Sequence, residues 1–158
     1  MNIDVNYKIH NPENQHPKQM SKGYPGSAAH DLYLPTVCKE LTYNAKGEVK
    51  LFPNQTVLVP LGISIHIDNL NVAAVILPRS GSGNKGLVVG NLVGLIDQDY
   101  QGELFLSMWN RTSDTLFIDP EKAVAQMMFV PVVQANLVRV DEFGETTDRG
   151  DGGFGSSD

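Results

Sequence analysis

The sequence predicts an all-β protein whose strands form a jelly-roll-like sandwich or barrel. Short segments rich in β-branched and other apolar residues recur along the chain, and glycine, proline or asparagine separates them. No window of a dozen residues carries a convincing 3.6-residue apolar period, which an amphipathic helix requires. At most one or two short helical turns fit this pattern, and residues 80–85 are the clearest place for one.

The predicted strands differ in how they meet the core. Residues 62–67 alternate strictly, so that three isoleucines lie on one face and Ser64 and His66 lie on the other. Residues 72–77 form a continuous apolar run, which is typical of a strand covered on both faces. Prolines and glycines make residues 11–27 an irregular extended arm. The remaining predicted strands are residues 28–34, 48–52, 55–59, 88–95, 103–110, 115–118, 124–133 and 136–140.

Length and composition predict one folded domain followed by a tail. A chain of 158 residues with 41% apolar and 19% charged residues can bury a core without disulfides or a structural metal. We assign residues 1–143 to a single β domain. Residues 144–158 contain five glycines and one apolar side chain, Phe154, with Arg149 five residues before it. We predict that this segment is a flexible glycine-rich tail that closes over the active site as a lid.

Charge and cysteine content exclude several classes of function. A net charge of -6 and a pI near 5.1 provide no basic surface for duplex nucleic acid. The single cysteine, Cys38, excludes an internal disulfide framework and is typical of a reducing cytoplasm. No signal peptide is recognisable, and no apolar run approaches the roughly 20 residues that a membrane span needs. We therefore expect a protein of the cytoplasm, or of the host cytoplasm if it is viral, with no membrane partner.

The segment 94–103, Gly-Leu-Ile-Asp-Gln-Asp-Tyr-Gln-Gly-Glu, carries more chemistry than a turn requires. It lies between apolar runs, which predicts a β-hairpin with a polar tip. Ionised aspartates such as Asp97, Asp99 and the more distant Asp31 can polarise a water molecule or hold Mg²⁺ through its waters. Aspartates in turns also serve as simple caps, so their residue type alone leaves both readings open.

Two further stretches point to an anionic ligand. Residues 78–83, Pro-Arg-Ser-Gly-Ser-Gly, can direct backbone amides at an anion, and Arg79 can add a bidentate contact to a phosphate. Gln126 stands among strand-forming residues, where it is either a satisfied interior amide or a ligand contact. The four histidines have no metal-ligand spacing, and with Lys122 we interpret them as structural or exposed to solvent.

Taken together, these stretches resemble the homotrimeric dUTPases, in particular their bacterial and bacteriophage branch, over nearly the whole chain. Five segments are similar to the five ordered motifs of that family: residues 28–32, 78–81, 94–103, 125–127 and 149–157. The resemblance implies a jelly-roll homotrimer with three active sites, each assembled from all three chains. It also implies Mg²⁺-assisted hydrolysis of dUTP to dUMP and pyrophosphate, which supplies dUMP for thymidylate synthesis and keeps uracil out of DNA.

The resemblance assigns a role to each matching residue. Asp97 would activate the water that attacks the α-phosphate, and Tyr100 would exclude a ribose 2′-hydroxyl. Asp31 would contact the metal through water, with Mg²⁺ held mainly by the triphosphate. The other implied contacts are Asn91, Gly94 and Leu95 to uracil, Arg79, Ser80, Gly81 and Gln126 to the phosphates, Phe154 over the uracil ring, and Arg149, Gly155 and Ser156 to the γ-phosphate.

Two alternative functions and three departures from the family pattern accompany this hypothesis. A dCTP deaminase-like enzyme shares the fold but would release ammonia, and a regulatory protein could bind dUTP without turnover. The segment Asp97 to Tyr100 and the complete tail favour the dUTPase. Ala29 replaces the usual glycine of the first motif, with His30 before Asp31, the segment 83–87 is one residue shorter than in bacterial relatives, and the third departure is Glu121. Glu121 stands where the fourth motif normally has glycine, so a left-handed turn there would cost roughly 1 kcal/mol or more.

Overall fold

The computed structural model describes residues 2–153 of the chain. Within that range the regular elements are twelve strands, one short α-helix and one 3₁₀ turn at Pro12–Asn14. The helix α1 is Ser80–Asn84, inside the predicted helical turn. The strands are β1 Asn6–Ile9, β2 His30–Leu32, β3 Thr42–Tyr43, β4 Val49–Leu51, β5 Thr56–Pro60, β6 Ile63–His66, β7 Val72–Pro78, β8 Leu87–Val89, β9 Gly94–Ile96, β10 Phe105–Asn110, β11 Leu116–Ile118 and β12 Ala125–Pro131.

These strands form four sheets, of which the largest positions the candidate site. Its strand order is β2-β12-β7-β9, and every neighbouring pair is antiparallel. The strands β12 and β7 pair along their full lengths, from Ala125 opposite Pro78 to Pro131 opposite Val72. The other sheets have the orders β5-β10-β8, β11-β4-β3 and β1-β6. The predicted all-β, jelly-roll class is confirmed, and the sheets do not close into a barrel.

The core lies between the sheets and explains the apolar patterns. Ile63, Ile65 and Ile67 are almost fully buried on the face that the alternation predicts. Ser64, on the opposite face, is also buried, and the side chain of His10, which follows the paired strand β1, contacts it. The Ser64 hydroxyl is satisfied there by His10 Nε2 at 2.7 Å. Long-range pairing therefore buries a position that the local pattern alone predicts to be exposed.

Two predicted strands are wrong in detail. Residues 88–95 are not one strand, because a turn with Leu92 at a positive φ of 64° separates β8 from β9. The strand β8 pairs with β10, whereas β9 leaves that sheet and pairs with β7. The hairpin predicted around residues 94–103 is thus formed by β8 and β10, and β9 lies within their connection.

Residues 136–140, predicted as a final strand, have no regular secondary structure. Their apolar side chains are exposed, with Leu137 at 92% and Val138 at 74%, and no strand among residues 2–153 pairs with them. A short segment rich in apolar and β-branched residues forms a strand only where a partner edge is present. The same structure contains two short strands that the sequence analysis missed, β1 and β3. No helix within residues 2–153 is long and apolar enough to cross a bilayer.

Candidate active site

Three predicted ligand residues come together at one end of the four-stranded sheet. On β12, Gln126 lies between Asp31 of β2 and Leu77 of β7. Arg79 follows β7 directly and is therefore carried to the same end. The Gln126 amide donates to the carbonyl of Pro78 at 3.0 Å, which holds β12 against the start of the α1 segment. Strand register, rather than closeness in sequence, assembles this group.

Arg79 and Asp31 form an ion pair within this group. Arg79 Nε lies 3.0 Å from Asp31 Oδ1, and the terminal Nη2 lies 3.4 Å from Oδ2. The Asp31 side chain is 12% exposed and that of Arg79 is 40% exposed. The guanidinium therefore neutralises a largely buried carboxylate and still presents a free edge to solvent. A planar guanidinium can contact a carboxylate on one edge and a phosphate on another.

Two cavities meet at Arg79 and Gln126. The first, of about 330 Å³, is also lined by Asp31, Ala28, Ala29 and Tyr24. The second, of about 420 Å³, is lined by three positively charged side chains and by small residues, and we call it the cationic cavity. Its lining residues are Arg79, Ser80, Gly81, Ser82, Lys85, Lys122, Ala123 and Gln126.

The cationic cavity suits a polyanionic ligand. Ser80 and Gly81 are exposed at the start of α1, where the first amides of a helix have no acceptor within the helix. Arg79, Lys85 and Lys122 supply positive charge around the same space. Lys122 also lies 3.6 Å from Asp119 Oδ2, but its side chain is 77% exposed, so water screens that pair. The four residues predicted to hold phosphates, namely Arg79, Ser80, Gly81 and Gln126, all line this cavity.

Sequence reasoning missed two members of the cationic cavity, Lys85 and Lys122. Lys122 has no evident partner among its neighbours in sequence, which predicts only a structural or solvent-exposed lysine. Lys122 lies three residues before Ala125, at which β12 begins and pairs with β7. That position is the signal that would have identified Lys122. That pairing brings the preceding turn beside α1.

A second group of predicted residues lies on β9 and the turns that flank it. Asn91, Leu95, Asp97 and Tyr100 are exposed there, with Tyr100 at 44% and Leu95 at 61%. Gly94 is buried, and a Cβ at that position would lie 3.1 Å from Ile76 Cβ, so glycine permits the close approach of β9 to β7. A cavity of about 320 Å³ holds Asp97, Asp99 and Gln98 on one side and Leu70, Val132 and Gln134 on the other.

Asp97 and Arg79 lie at opposite ends of the sheet within one chain. Ile96 is opposite Ala74, so the next residue, Asp97, lies near the level at which β7 begins. Arg79 directly follows the end of β7. Six residues of strand separate the two levels, which is about 20 Å at roughly 3.3 Å per residue. Neither Arg79 nor Gln126 lines the cavity of Asp97. Within one chain, the structure therefore assembles each of the two predicted groups, but the two groups lie far apart.

The second aspartate of the segment 94–103, Asp99, is predicted to brace the turn or to pair with a basic residue. It is exposed, and no basic side chain among residues 2–153 forms an ion pair with it. The turn is instead closed by the backbone, since the Tyr100 amide donates to the Asp97 carbonyl at 3.2 Å.

Glu121 avoids the backbone strain that a left-handed conformation would impose. Among the described non-glycine residues, positive φ occurs at Asn11, Met20, Asn54 and Leu92, and Glu121 is not among them. Its carboxylate approaches His16 Nε2 at 3.4 Å, and the buried His16 ring stacks on Tyr33 at 4.1 Å. The substitution of glycine by glutamate is thus accommodated by an ordinary turn beside the cationic cavity.

His30, next to Asp31, is better suited to a structural role than to metal binding. Its ring packs edge-on against Phe129 at 6.1 Å, and its buried Nδ1 has no hydrogen-bond partner within the described residues. Burial, with a smaller contribution from the charge of Lys22, lowers the pKa of His30. The interpretation of His30 as structural agrees with these contacts.

Of the predicted tail residues, Arg149 is the one that the structure describes. Arg149 is exposed, and its Nε donates to the carbonyl of Gly152 at 2.9 Å across a turn in which Gly150 has a φ of 54°. Phe154, Gly155 and Ser156 lie outside the described residues, so their predicted contacts have no structural counterpart here.

Comparison with known proteins identifies the family. The chain matches the dUTPase family model over residues 16–158. A Citrobacter koseri protein named deoxyuridine 5'-triphosphate nucleotidohydrolase is 60% identical over 110 residues, which cover 69% of this chain and 72% of the relative. The protein of the same name from Escherichia coli K12 is 57% identical over 110 residues, with the same shares covered.

Solved structures show the same architecture. The Staphylococcus bacteriophage 80alpha dUTPase with dUPNHPP has a TM-score of 0.77 at 20% identity, with 98% of each chain covered. A mutant dUTPase from phage phi11 of S. aureus, described as revealing the coordination of a structural Mg(II) ion, has a TM-score of 0.69 at 18% identity, covering 90% of this chain and all of that one. The fold is therefore that of a phage dUTPase. With the family model matched over most of its length, the chain belongs to the dUTPase family.

Proposed function

We propose that the protein hydrolyses dUTP to dUMP and pyrophosphate. The observation that carries this proposal is the grouping of Arg79, Asp31 and Gln126 on adjacent strands beside the cationic cavity, in a member of the dUTPase family. Relatives named deoxyuridine 5'-triphosphate nucleotidohydrolase support the substrate. The product dUMP would feed thymidylate synthesis, and removal of dUTP would keep uracil out of DNA. No observation favours the dCTP deaminase-like or the non-catalytic alternative.

Asp97 acts as the general base in this proposal. Its carboxylate accepts a proton from a water molecule while the water oxygen forms a bond to the α-phosphorus. The bond between the α-phosphorus and the oxygen that bridges to the β-phosphate breaks, and pyrophosphate leaves with that electron pair. Exposure of Asp97 beside a cavity supports access of both water and substrate to the carboxylate.

Arg79, Ser80, Gly81 and Gln126 hold the phosphates in line for this attack. Positioning and neutralisation of charge supply most of the catalytic effect in phosphoryl chemistry, because the transition state spreads charge over the phosphate oxygens. Lys85 and Lys122 line the same cavity and add positive charge where the β- and γ-phosphates would lie. Asn91, Gly94 and Leu95 bind the uracil edge, and Tyr100 lies against the deoxyribose and excludes a 2′-hydroxyl.

Mg²⁺ is the proposed cofactor, and the donors present fit a metal held mainly by the substrate. No cluster of three histidine, cysteine, aspartate or glutamate side chains capable of holding a metal occurs among residues 2–153. Mg²⁺ commonly binds through one or two carboxylates and the phosphates of its substrate, and retains several waters. Asp31 would accept hydrogen bonds from those waters. When bound, the metal would neutralise negative charge on the triphosphate.

A homotrimer with shared active sites is the proposed assembly. The separation of about 20 Å between the levels of Asp97 and Arg79 along β7 supports contributions from different chains, since both groups must reach one triphosphate. Exposed apolar side chains support extensive contacts between copies: Leu92, Val93 and Leu95 lie around β9, and Val133, Leu137 and Phe143 follow β12.

We further propose that residues 1–143 form the catalytic β domain and that residues 144–158 act as its lid. The described part of the tail is exposed, which leaves Arg149 available to a ligand. In the closed state Phe154 would stack on uracil, while Arg149, Gly155 and Ser156 would contact the γ-phosphate. A cytoplasmic location also remains a proposal, supported by the single reduced thiol of Cys38.

The direct test is to incubate the protein with Mg²⁺ and each deoxynucleoside triphosphate or UTP, and to measure pyrophosphate. We expect release from dUTP and little from dCTP, dTTP or UTP. Comparable turnover of those nucleotides, or no turnover of dUTP, would contradict the proposal. Asp97→Asn should lower kcat by orders of magnitude while nucleotide binding largely survives. Asp99→Asn is the matched control from the same turn and should retain most activity.

A further inference from the structure

Tyr100 is held in place by its own loop. Its hydroxyl donates to the carbonyl of Glu103 at 2.9 Å, so both ends of the side chain are fixed to the segment 100–103. The ring is 44% exposed, which leaves one side free to contact a ligand. A hydrogen bond of this kind fixes the direction of a ring that would otherwise rotate about two side-chain torsions.

Gly102 supplies the space that this ring position requires. A Cβ at residue 102 would lie 2.5 Å from the Tyr100 hydroxyl oxygen, 2.6 Å from Cζ and 3.0 Å from Cε2. Real atoms do not approach so closely, so any side chain at residue 102 displaces the ring. Gly102 does not have a positive φ, and its backbone conformation alone would therefore accept alanine. The Tyr100 ring is the reason for glycine at this position.

Glu103 connects the same loop to the core. Its Oε1 accepts a hydrogen bond from the Gly62 amide at 3.0 Å, and Gly62 has a φ of 68° in the turn between β5 and β6. Beside it, the Leu61 amide donates to the Leu104 carbonyl, and the Leu104 amide donates to the Ile63 carbonyl, both at 2.8 Å. Glu103 thus accepts the hydrogen bond of the Tyr100 hydroxyl through its carbonyl. Its side chain and the adjacent Leu104 are hydrogen-bonded to the buried backbone of residues 61–63.

We propose that Gly102 and Glu103 are positioning residues that set the discrimination between deoxyribose and ribose by fixing the Tyr100 ring. This inference rests on the proposed dUTP hydrolysis and identifies how its sugar specificity is built. Exclusion of a 2′-hydroxyl requires a ring that cannot retreat by the length of one bond. The hydrogen bond to the Glu103 carbonyl and the close fit over Gly102 prevent that retreat.

The principal experiment compares kcat/KM for dUTP and UTP in Gly102→Ala. We expect the ratio to fall by about tenfold or more, because displacement of the ring removes a steric exclusion worth at least the ~1.4 kcal/mol that a factor of ten represents. The matched control is Gly26→Ala, since a Cβ there meets nothing within 4 Å and Gly26 lines none of the cavities described above. An unchanged ratio in a folded Gly102→Ala protein overturns the inference.

A double-mutant cycle tests whether Gly102 acts through the ring. In a Tyr100→Ala background the space beside residue 102 is empty, so Gly102→Ala should leave the dUTP to UTP ratio unchanged. An equal effect of Gly102→Ala with and without the ring would show a different cause and contradict the proposal. The wild-type protein is measured alongside: absence of dUTP turnover there defeats the proposed function, whereas a selective wild type with unaffected variants defeats only this inference.

Glu103 offers a second pair of variants that does not depend on tolerance at residue 102. Glu103→Gln keeps a side-chain oxygen that accepts from the Gly62 amide and should preserve the sugar ratio. Glu103→Ala removes that acceptor and should lower the ratio several-fold, because the segment that holds the Tyr100 ring loses its hydrogen bond to the Gly62 amide. Equal ratios for the two variants would exclude the proposed anchoring. Thermal unfolding of both proteins verifies that the comparison is made between folded enzymes.

Discussion

Arg79 Nε lies 3.0 Å from Asp31 Oδ1, so the residue proposed to bind phosphate and the residue proposed to approach the metal are paired with each other. In this arrangement the guanidinium compensates a carboxylate that is only 12% exposed. The pair limits repulsion between Asp31 and an incoming triphosphate. It also divides the positive charge of Arg79 between two anions once the substrate is bound.

Asp31→Asn should therefore strengthen binding of the metal-free nucleotide and lower turnover of the nucleotide bound to Mg²⁺. Without metal, loss of one negative charge and release of Arg79 should tighten binding of dUPNHPP several-fold, as expected for removal of a nearby like charge. With Mg²⁺, loss of the acceptor for metal-bound water should lower kcat for dUTP. Calorimetric titration in EDTA and kinetics in Mg²⁺ separate these effects. Asp68→Asn, at an exposed position, is the control, and weaker binding of the metal-free analogue by Asp31→Asn would contradict the prediction.

Sharing of the active site predicts complementation between inactive variants. If Arg79 and Asp97 in one site come from different chains, co-expressed Arg79→Ala and Asp97→Asn chains should form some sites with both residues intact. Random mixing of equal amounts predicts about a quarter of wild-type activity, since each of two independent chains must carry the intact residue.

The matched control for complementation uses two residues of the same cavity. Arg79→Ala and Gln126→Ala chains should not rescue one another, because both side chains line the cationic cavity of a single chain. Pyrophosphate release from the co-purified mixtures is the measurement, and mass determination by light scattering reports the number of chains. Rescue in both mixtures, or in neither, would be inconsistent with the proposed division of the site.

Truncation after Phe143 tests the proposed lid. The described residues 144–153 are exposed with one half-buried glycine, so their removal takes little from the core, and we expect a change in unfolding free energy within about 0.5 kcal/mol. Turnover of dUTP should fall by orders of magnitude, because Arg149 and Phe154 are lost together. Denaturant unfolding and steady-state kinetics on the same preparation make the comparison. Full activity, or an unfolded product, would be evidence against a lid.

Alkaline pH should destabilise the protein through Cys38. Burial, followed by the hydrogen bond from the thiol to Glu40, raises the pKa of Cys38 from 9.0 to about 11. Because the unfolded thiol ionises first, this stabilisation is complete below pH 9 and is lost as the pH rises toward 11. We expect a loss of at most about 2 kcal/mol between those values. Urea unfolding at several pH values would measure it.

Cys38→Ser is the appropriate comparison for the alkaline effect. Serine retains a donor toward Glu40 and does not titrate in this range. The pH dependence between 9 and 11 should therefore be shallower in the variant than in the wild type. Tyr43, whose pKa is raised first by burial and then by the charge of ionised Cys38, remains in both proteins, so the variant removes the titration of Cys38 together with its effect on Tyr43. Parallel curves for the two proteins would exclude Cys38 as the cause.

Within residues 2–153, local sequence patterns determined most of the strands and the one α-helix. Alternation at residues 62–67 and the apolar run at residues 72–77 specify strands because side chains repeat every two residues. Patterns of this kind do not indicate which other segment a strand will pair with. For that reason residues 136–140 have the composition of a strand without pairing, and residues 88–95 divide between two sheets.

The sequence by itself determined which residue types the site contains, since the segment 94–103 and residues 78–83 already carry the aspartates, the tyrosine and the arginine that the chemistry needs. Only the tertiary structure decided their arrangement. The register of β2, β12 and β7 unites Asp31, Gln126 and Arg79, whereas the pairing of β9 with β7 directs Asp97 away from them. It also placed the Tyr100 ring over Gly102. Such relationships depend on contacts between residues distant in sequence, and burial and strand pairing across the whole chain select them.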